Sequence, residues 1–211
     1  MKSEKLDVKK LEKDYYFPKK ITLVDIPKMN FIMVDGEGAP TGAAFQEALA
    51  LLYPVAFTIS MSYRNEDFTI DDFEPFVVPP LEGLWTSKNV PENGEIIKED
   101  FIWRLMIRMP DFVTVDVVEK AKQLVFAKKK LDVSALQFGE ITDGLCLQTL
   151  HIGSFDNEAA TFSKLFEFAQ LNKLKPVHKT FHHREIYMSD FRRTKTENLK
   201  TVLRIFVEKE A

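Results

Sequence analysis

The sequence predicts an α+β fold of tandem, pseudo-symmetric β-α-β-β units, with an antiparallel sheet, helices on one face and a central ligand cleft. The 211 residues provide enough material for a sizeable core. Strand patterns of period 2 alternate with apolar stripes of helical period, and this order repeats along the chain. The two stripes occupy matching places in the halves: Phe45, Ala48, Leu49 and Leu52, then Phe162, Leu165, Phe166 and Ala169.

Residues 1–18 are predicted to form a helical arm, and residues 19–211 a single domain. The arm is charged and lacks the apolar region of a signal peptide. The longest apolar stretch, Ala48–Met61, is too short and too interrupted to span a bilayer. We therefore expect a cytoplasmic protein with no membrane partner.

The first half opens with two predicted strands, Ile21–Ile26 and Asn30–Asp35, separated by a turn at Pro27. A helix follows from about Gly42. Because proline lacks an amide hydrogen and clashes with the preceding turn, we expect Pro54 to kink or interrupt that helix.

An acidic, exposed loop is predicted over residues 65–80, ahead of two further strands. These are Leu81–Thr86 and Phe101–Met109, with a turn at Asn93-Gly94 between them. The second strand alternates strictly, which gives it one strongly apolar face. That face holds Phe101, Trp103, Leu105, Ile107 and Met109.

A helix over Val115–Lys130, capped by Thr114, joins the two halves. Two strands are then predicted, Ala135–Glu140 and Leu145–Ile152. Asp143-Gly144 lies between them and is typical of a β-hairpin turn.

The second half continues with a helix that Ser154 or Asp156 caps, and it ends with two strands. The strands are predicted over Phe181–Met188 and Lys200–Val207. Each half therefore contains the same order of strands around one helix.

Composition excludes several classes of function. The formal net charge of −3 gives no electrostatic argument for nucleic-acid binding. A single cysteine, Cys146, cannot form an internal disulfide or a cysteine-rich zinc site. His178, His182 and His183 are too few and too divergent in direction to complete a zinc site, so we expect neither a metal nor a cofactor.

Glu185 is the acidic residue with the strongest claim to a chemical role. Alternation places it on the same strand face as His183 and Tyr187, whereas Ile186 takes the other face. If the Ile186 face packs on the helices, Glu185 and Tyr187 line an open face, where a partly buried carboxylate could act as a general base. The alternative is a surface glutamate paired with Arg184 or a nearby arginine.

Aromatic residues provide candidate walls for a ligand. Trp85 and Trp103 lie on predicted strands and offer flat surfaces for a planar molecule, although Trp103 also fits core packing. Tyr63 and Leu147 are further candidate wall residues. Glu82 mirrors Glu185 in one alignment of the halves, and a shift of one residue would turn it to the other face.

Three stretches of the chain carry a family resemblance. They are Asn30–Gly38, Glu185–Asp190, and the segment from Arg192 to Leu203, which looks like the C-terminal ending of stand-alone members. The chain resembles the GyrI-like small-molecule-binding superfamily over about residues 19–208. The resemblance implies two β-α-β-β units around a central cleft, and it assigns the family's functional acid to Glu185.

The resemblance also implies a choice of functions. Regulator members carry a helix-turn-helix region, for which about 18 residues leave no room. Some stand-alone members look like hydrolases of cyclopropane-bearing, DNA-alkylating natural products. We therefore expect an aromatic, lipophilic small-molecule ligand, with Glu185 and Tyr187 as catalytic residues and Trp85, Trp103, Tyr63, Leu147 and His183 as ligand contacts. A drug-sequestering protein and a gyrase-inhibitor-like protein remain the alternatives.

Overall fold

The computed structural model describes residues 5–89 and 97–210, so the predicted turn at Asn93-Gly94 lies outside the described residues. The chain divides into two compact units. The first unit comprises Met1–Val8, Met29–Pro79 and Ser87–Ile141, and the second comprises Lys9–Lys28, Pro80–Thr86 and Thr142–Ala211.

The order of elements confirms the tandem α+β prediction. After two short helices, α1 and α2, the series β1–α3–β2–β3 is followed through α4 by β4–α5–β6–β7, with one additional short strand, β5, after α5. The bounds are Val8–Leu11 (α1), Lys13–Tyr16 (α2), Thr22–Glu37 (β1), Ala43–Ser60 (α3), Leu81–Ser87 (β2), Phe101–Met109 (β3), Val115–Lys129 (α4), Gln137–Ile152 (β4), Glu158–Leu171 (α5), Leu174–Pro176 (β5), His183–Tyr187 (β6) and Lys200–Lys209 (β7).

In the first unit, β1 and β3 pair antiparallel over eight residues, from Asn30 opposite Met109 to Glu37 opposite Ile102. Helix α3 contacts β3 and α4. As predicted, Thr114 caps α4, since its hydroxyl accepts a hydrogen bond from the Val117 amide at 3.4 Å.

The predicted interruption at Pro54 is wrong, because α3 is continuous through it. Proline deprives the carbonyl of the residue four positions earlier of its usual donor, and that residue is Ala50. Ala50 is exposed, so water can satisfy its carbonyl. The helix spans 18 residues and, by length and composition alone, is long and apolar enough to cross a membrane. Its buried stripe is equally typical of a core helix.

Two predicted pairs of strands are in fact single long strands. Pro27 lies inside β1, since its fixed backbone angle is compatible with extended structure. Asp143 and Gly144 lie inside β4, so the predicted hairpin is wrong. Gly144 has a φ of +70°, a left-handed conformation that glycine adopts without a steric penalty, and the strand continues through it.

The second unit is built on an antiparallel sheet in the order β2–β6–β7–β4, with β5 beside the end of β7. Helix α5 packs on one face of this sheet. Its Leu165 and Ala169 form a buried cluster with Leu203 and Ile205 of β7 and with Leu147 of β4. The register of these strands determines which residues of β6 lie under the helix.

Candidate functional site

Glu185 lies on the face of the sheet that α5 covers. In the register of β6 and β7, Glu185 is opposite Leu203 and His183 is opposite Ile205. Cross-strand partners point to the same face, and Leu203 and Ile205 pack against α5. The predicted arrangement, with the Ile186 face on the helices, is therefore wrong for this unit, while the grouping of Glu185 with His183 and Tyr187 is correct.

Glu185 is held by two neighbours on its own strand. The Tyr187 hydroxyl donates to its Oε2 at 2.7 Å, and the His183 Nε2 lies 2.9 Å from its Oε1, where the Nε2–H tautomer donates. The residue is only 8% exposed. A carboxylate has about four acceptor positions, so these bonds fix its orientation and leave capacity for a water or a ligand. The alternative of a surface glutamate paired with an arginine does not fit this geometry.

Trp85 extends the hydrogen-bonded chain. Its indole Nε1–H donates to the Tyr187 hydroxyl at 3.0 Å, and Trp85 is opposite His183 in the register of β2 and β6. Gly83, which is opposite Glu185, makes this approach possible. A Cβ on Gly83 would lie 2.5 Å from the indole nitrogen and 3.2 Å from the Tyr187 hydroxyl. No pattern in the sequence indicated this role for Gly83.

Aromatic rings surround the polar chain. The rings of Phe155 and Phe191 pack edge-on against Tyr187, with centroids 5.9 and 5.8 Å away. Phe162 of α5 packs edge-on against the His183 ring at 4.7 Å. Glu185 therefore lies between two residues that are each covered by phenylalanine, in largely apolar surroundings that strengthen electrostatic interactions.

The proton of the Tyr187 hydroxyl is directed at Glu185. Burial, and then the Glu185 charge, raise the pKa of Tyr187 well above its usual value. The same oxygen accepts from Trp85, so the hydroxyl has one donor and one acceptor partner. In this arrangement Tyr187 orients Glu185 and has no second proton to give to a ligand.

Glu158 is a second buried acid near this chain, and the sequence analysis did not select it. It is the first residue of α5, is 7% exposed, and its Oε1 has no hydrogen-bond partner among the described residues. Burial raises the pKa of Glu158 to about 10, with further contributions from the charges of Glu185 and Asp156. A helix N-terminus favours an anion, but only by about 0.3–1 kcal/mol, which is less than burial costs.

The opposite face of the sheet carries a buried ionic network. Arg184 donates to Glu82 at 2.6 Å and to Asp143 at 2.7 Å, and Arg204 donates to Asp143 at 3.1 Å. Glu82 is opposite Ile186 in the register, so it does not share the face of Glu185. The alignment that made Glu82 the mirror of Glu185 is therefore wrong, and Trp85 occupies the Glu185 face.

Of the three other predicted ligand contacts, Trp103 and Tyr63 lie in the first unit, whereas Leu147 lies opposite Ile205 on the same sheet face as Glu185. In the first unit, Trp103 is 1% exposed, donates to the Gly38 carbonyl at 3.1 Å and packs against Gly36 and Phe45. Tyr63, also in that unit, is 48% exposed and lies beside Phe73. Leu147 belongs to the buried cluster under α5. The roles of these three residues in ligand binding remain predictions.

The described residues contain no group of three His, Cys, Asp or Glu side chains able to hold a metal ion. Cys146 is buried, and burial raises the pKa of its thiol to about 12. A thiol with so high a pKa is a poor nucleophile at neutral pH.

Comparison with known protein families identifies the family of this chain. The model of the GyrI-like small molecule binding domain matches residues 19–208. The chain therefore belongs to the GyrI-like family, as its three motifs indicated. A search of curated proteins gives no match.

Solved structures extend the comparison. A crystal structure described as a hydrolase from Listeria innocua is 38% identical, with a TM-score of 0.89, over 97% of this chain and 100% of the other. An uncharacterized conserved protein from the same organism is 39% identical over the same shares, with a TM-score of 0.90. The C-terminal domain of EcmrR shares the fold, with a TM-score of 0.55 and 15% identity over 90% of this chain and 98% of that domain.

Proposed function

We propose that the protein binds planar, lipophilic small molecules and hydrolyses reactive cyclopropane-bearing genotoxins, with Glu185 as the general base. The observation that carries this proposal is a buried carboxylate oriented by Tyr187 and His183 among aromatic rings. The hydrolase description of a Listeria innocua protein with 38% identity supports an enzymatic role. Ligand breakdown by this route would protect a cell from DNA alkylation.

The proposed reaction needs a positioned water, an acceptor for its proton and a proton for the carbonyl oxygen of the opened product. A strained cyclopropane that is conjugated to a dienone carbonyl is already activated toward nucleophiles. Glu185 would accept a proton from water as the water oxygen attacks the ring methylene carbon. The bond from that carbon to the spiro carbon breaks, and its electron pair passes through the ring to the carbonyl oxygen, which then takes up a proton. General-base catalysis of this kind contributes a factor of about 10²–10⁴ to the rate.

The chain Trp85–Tyr187–Glu185 supports the proposal at the level of geometry. Tyr187 and His183 hold the carboxylate in one orientation, and Trp85 in turn holds the Tyr187 hydroxyl, which reduces the reorganisation needed in the transition state. The indole and the surrounding phenylalanines would provide flat, apolar surfaces for an aromatic ligand. We assign Tyr187 to the orientation of Glu185, because its proton is directed there.

The proposal is tested by incubating the protein with a compound in which a cyclopropane is fused to a dienone. Mass spectrometry should detect a product that is heavier by one water, in excess over a protein-free control. Tight binding with no change in ligand mass would contradict hydrolysis and support sequestration. Inhibition of DNA supercoiling by gyrase in a parallel assay, without either result, would instead support the gyrase-inhibitor alternative.

A further inference from the structure

We propose that Glu158 is the second functional carboxyl group of this site, and that it donates the proton which the ring-opened product takes up at its carbonyl oxygen. This inference rests on the proposed hydrolysis, because it names the acid that complements Glu185. Neither the family match nor the described relatives assign a role to this residue.

The geometry of α5 brings Glu158 to Glu185. Glu158 and Phe162 are four residues apart, so they lie on the same face of the helix. Phe162 covers His183, and Phe155, which precedes the helix, covers Tyr187. Glu185 lies between His183 and Tyr187 on β6, and Glu158 lies between the two phenylalanines. The helix therefore presents Glu158 to the segment of β6 that contains Glu185.

The environments of the two acids divide their roles. Glu185 accepts hydrogen bonds from Tyr187 and His183, which hold it in one orientation as a proton acceptor. The Oε1 of Glu158 is buried and has no partner in the described part of the chain, so its neutral form is favoured. A carboxyl group held by donors, beside one that burial keeps neutral, can divide the roles of base and acid.

The reaction balances with these two groups alone. The water oxygen bonds to the ring methylene carbon, and the bond from that carbon to the spiro carbon breaks. The electron pair of the broken bond makes the dienone ring aromatic and turns the carbonyl oxygen into a phenolate. This oxygen takes the Glu158 proton and becomes a phenol. The proton released by water goes to Glu185. Transfer of one proton from Glu185 to Glu158 restores both groups, with no oxidant or reductant required.

Tyr187 cannot supply this proton while Glu185 is ionised. Its hydroxyl hydrogen lies in the 2.7 Å bond to Glu185, and its oxygen already accepts from Trp85. His183 is likewise directed at Glu185 through Nε2. Among the acids and hydroxyls that this part of the structure describes around Glu185, Glu158 is the group with an uncommitted oxygen.

The test compares the wild-type protein with Glu158→Gln, Glu158→Asp and a matched control on the same helix, the exposed Glu167→Gln. Turnover of the cyclopropane dienone is followed by mass spectrometry across pH 6 to 11, and ligand binding by tryptophan fluorescence. We expect Glu158→Gln to lose about 10²-fold in kcat while the dissociation constant changes less than about threefold.

The pH profile separates a proton donor from a structural residue. A donor must be protonated, so the wild-type rate should fall as pH rises through the Glu158 pKa of about 10. This alkaline decrease should vanish in Glu158→Gln, persist in Glu158→Asp and be unchanged in Glu167→Gln. If Glu158→Gln retains the parent rate and the same alkaline decrease, the inference is wrong and the proposed hydrolysis stands. If the wild-type protein forms no product, both fail.

Discussion

At the scale of single residues, the environments of two buried acids define the site. Glu185 and Glu158 are both less than one-tenth exposed, yet only Glu185 is provided with donors. The unpaired oxygen of Glu158 makes ionisation costly, and the nearby Glu185 charge adds to that cost. The same physics that favours a neutral Glu158 should appear in the stability of the protein.

We expect Glu158 to make the folded state less stable as pH rises. Its pKa is about 10 in the folded chain but about 4.3 in an unfolded chain, so between these values only the folded state retains the proton. The free energy of unfolding therefore falls as pH rises through this window, by at most about 1.4 kcal/mol per pH unit for one full proton. Below both pKa values, the contribution of Glu158 to the free energy of unfolding is fully present.

Urea unfolding of the wild-type protein and Glu158→Gln at pH 5 and pH 8 measures this effect. The charged or titratable groups that interact with Glu158 are Glu185 and Tyr187 on β6, and Asp156 before α5. The free energy of unfolding of Glu158→Gln, minus that of the wild type, should be larger at pH 8 than at pH 5. A difference between the two proteins that does not change with pH would contradict the buried, neutral state.

Gly83 is the residue on which the contact between Trp85 and Tyr187 depends. In Gly83→Ala the new methyl group overlaps the indole nitrogen, so the hydrogen bond must break and the side chains must move. We expect a loss of about 1–3 kcal/mol in the free energy of unfolding, as for other overpacked sites. Trp85 emission, recorded with Trp103→Phe as background, should change.

Two matched variants serve as comparisons for Gly83→Ala. Tyr187→Phe removes the hydroxyl without a clash, and it should cost about 1 kcal/mol. Gly139→Ala adds a methyl group that meets only the flexible end of Met33, so it should have little effect. Unchanged emission and stability in Gly83→Ala would show that this close approach does not govern the position of Trp85.

Alternation along one strand was enough to predict that His183, Glu185 and Tyr187 share a face. It could not predict that Trp85 joins them, because that depends on the register between β2 and β6, which lie 102 residues apart at Trp85 and Tyr187. Glu158 had no distinguishing pattern, because an acid at a helix start is ordinary for electrostatic reasons alone. The one local signal is the spacing of four residues between Glu158 and Phe162, which puts both side chains on the same face of the helix.

At the scale of elements, the long strand β4 shows where local signals mislead. Asp143-Gly144 is a common hairpin pair, but Asp143 is buried and accepts hydrogen bonds from two arginines. The Arg204 side chain also binds Gln148, whose amide donates to the Asp14 carbonyl at 2.6 Å. These long-range bonds hold Asp143 within a continuous strand, although Asp-Gly is typical of a turn and Gly144 has a left-handed φ of +70°.

Asp143→Asn tests the importance of this network. The substitution removes one of the two buried negative charges, the other being that of Glu82, which neutralise Arg184 and Arg204, and breaking a buried ion pair costs about 3–5 kcal/mol. We expect a loss of that order in urea unfolding. The exposed Asp71→Asn should change stability by less than about 0.5 kcal/mol. A loss below about 1 kcal/mol in Asp143→Asn would contradict the assigned role.

Helix α3 and strand β1 illustrate a second limit of sequence reasoning. Both contain a proline that predicted a break, at Pro54 and at Pro27, and both continue through it. In α3 the carbonyl that Pro54 leaves without its usual donor belongs to the exposed Ala50, and in β1 the fixed φ of Pro27 is compatible with a strand. The exposure of Ala50 is not specified by the sequence alone.

At the scale of the whole molecule, the repeated order of elements was predictable because hydrophobic periodicity encodes it directly. The structure confirms β-α-β-β in tandem, and the family match extends over residues 19–208. The division of the chain into two units by contacts was not predictable. Strand β2 follows α3 in the sequence, but it belongs largely to the second unit. Contacts of that kind depend on strand pairing between distant segments.

The central claim is that Glu185 is the base of a hydrolase. The most direct measurement follows binding and turnover of a cyclopropane dienone by the wild-type protein, Glu185→Gln and the exposed control Glu167→Gln. Because Gln keeps the shape of Glu but cannot take up the proton from water, we predict that Glu185→Gln binds the ligand within about threefold of the wild type and forms the water-added product at least about 10²-fold more slowly. Turnover by Glu185→Gln at the wild-type rate would contradict the claim.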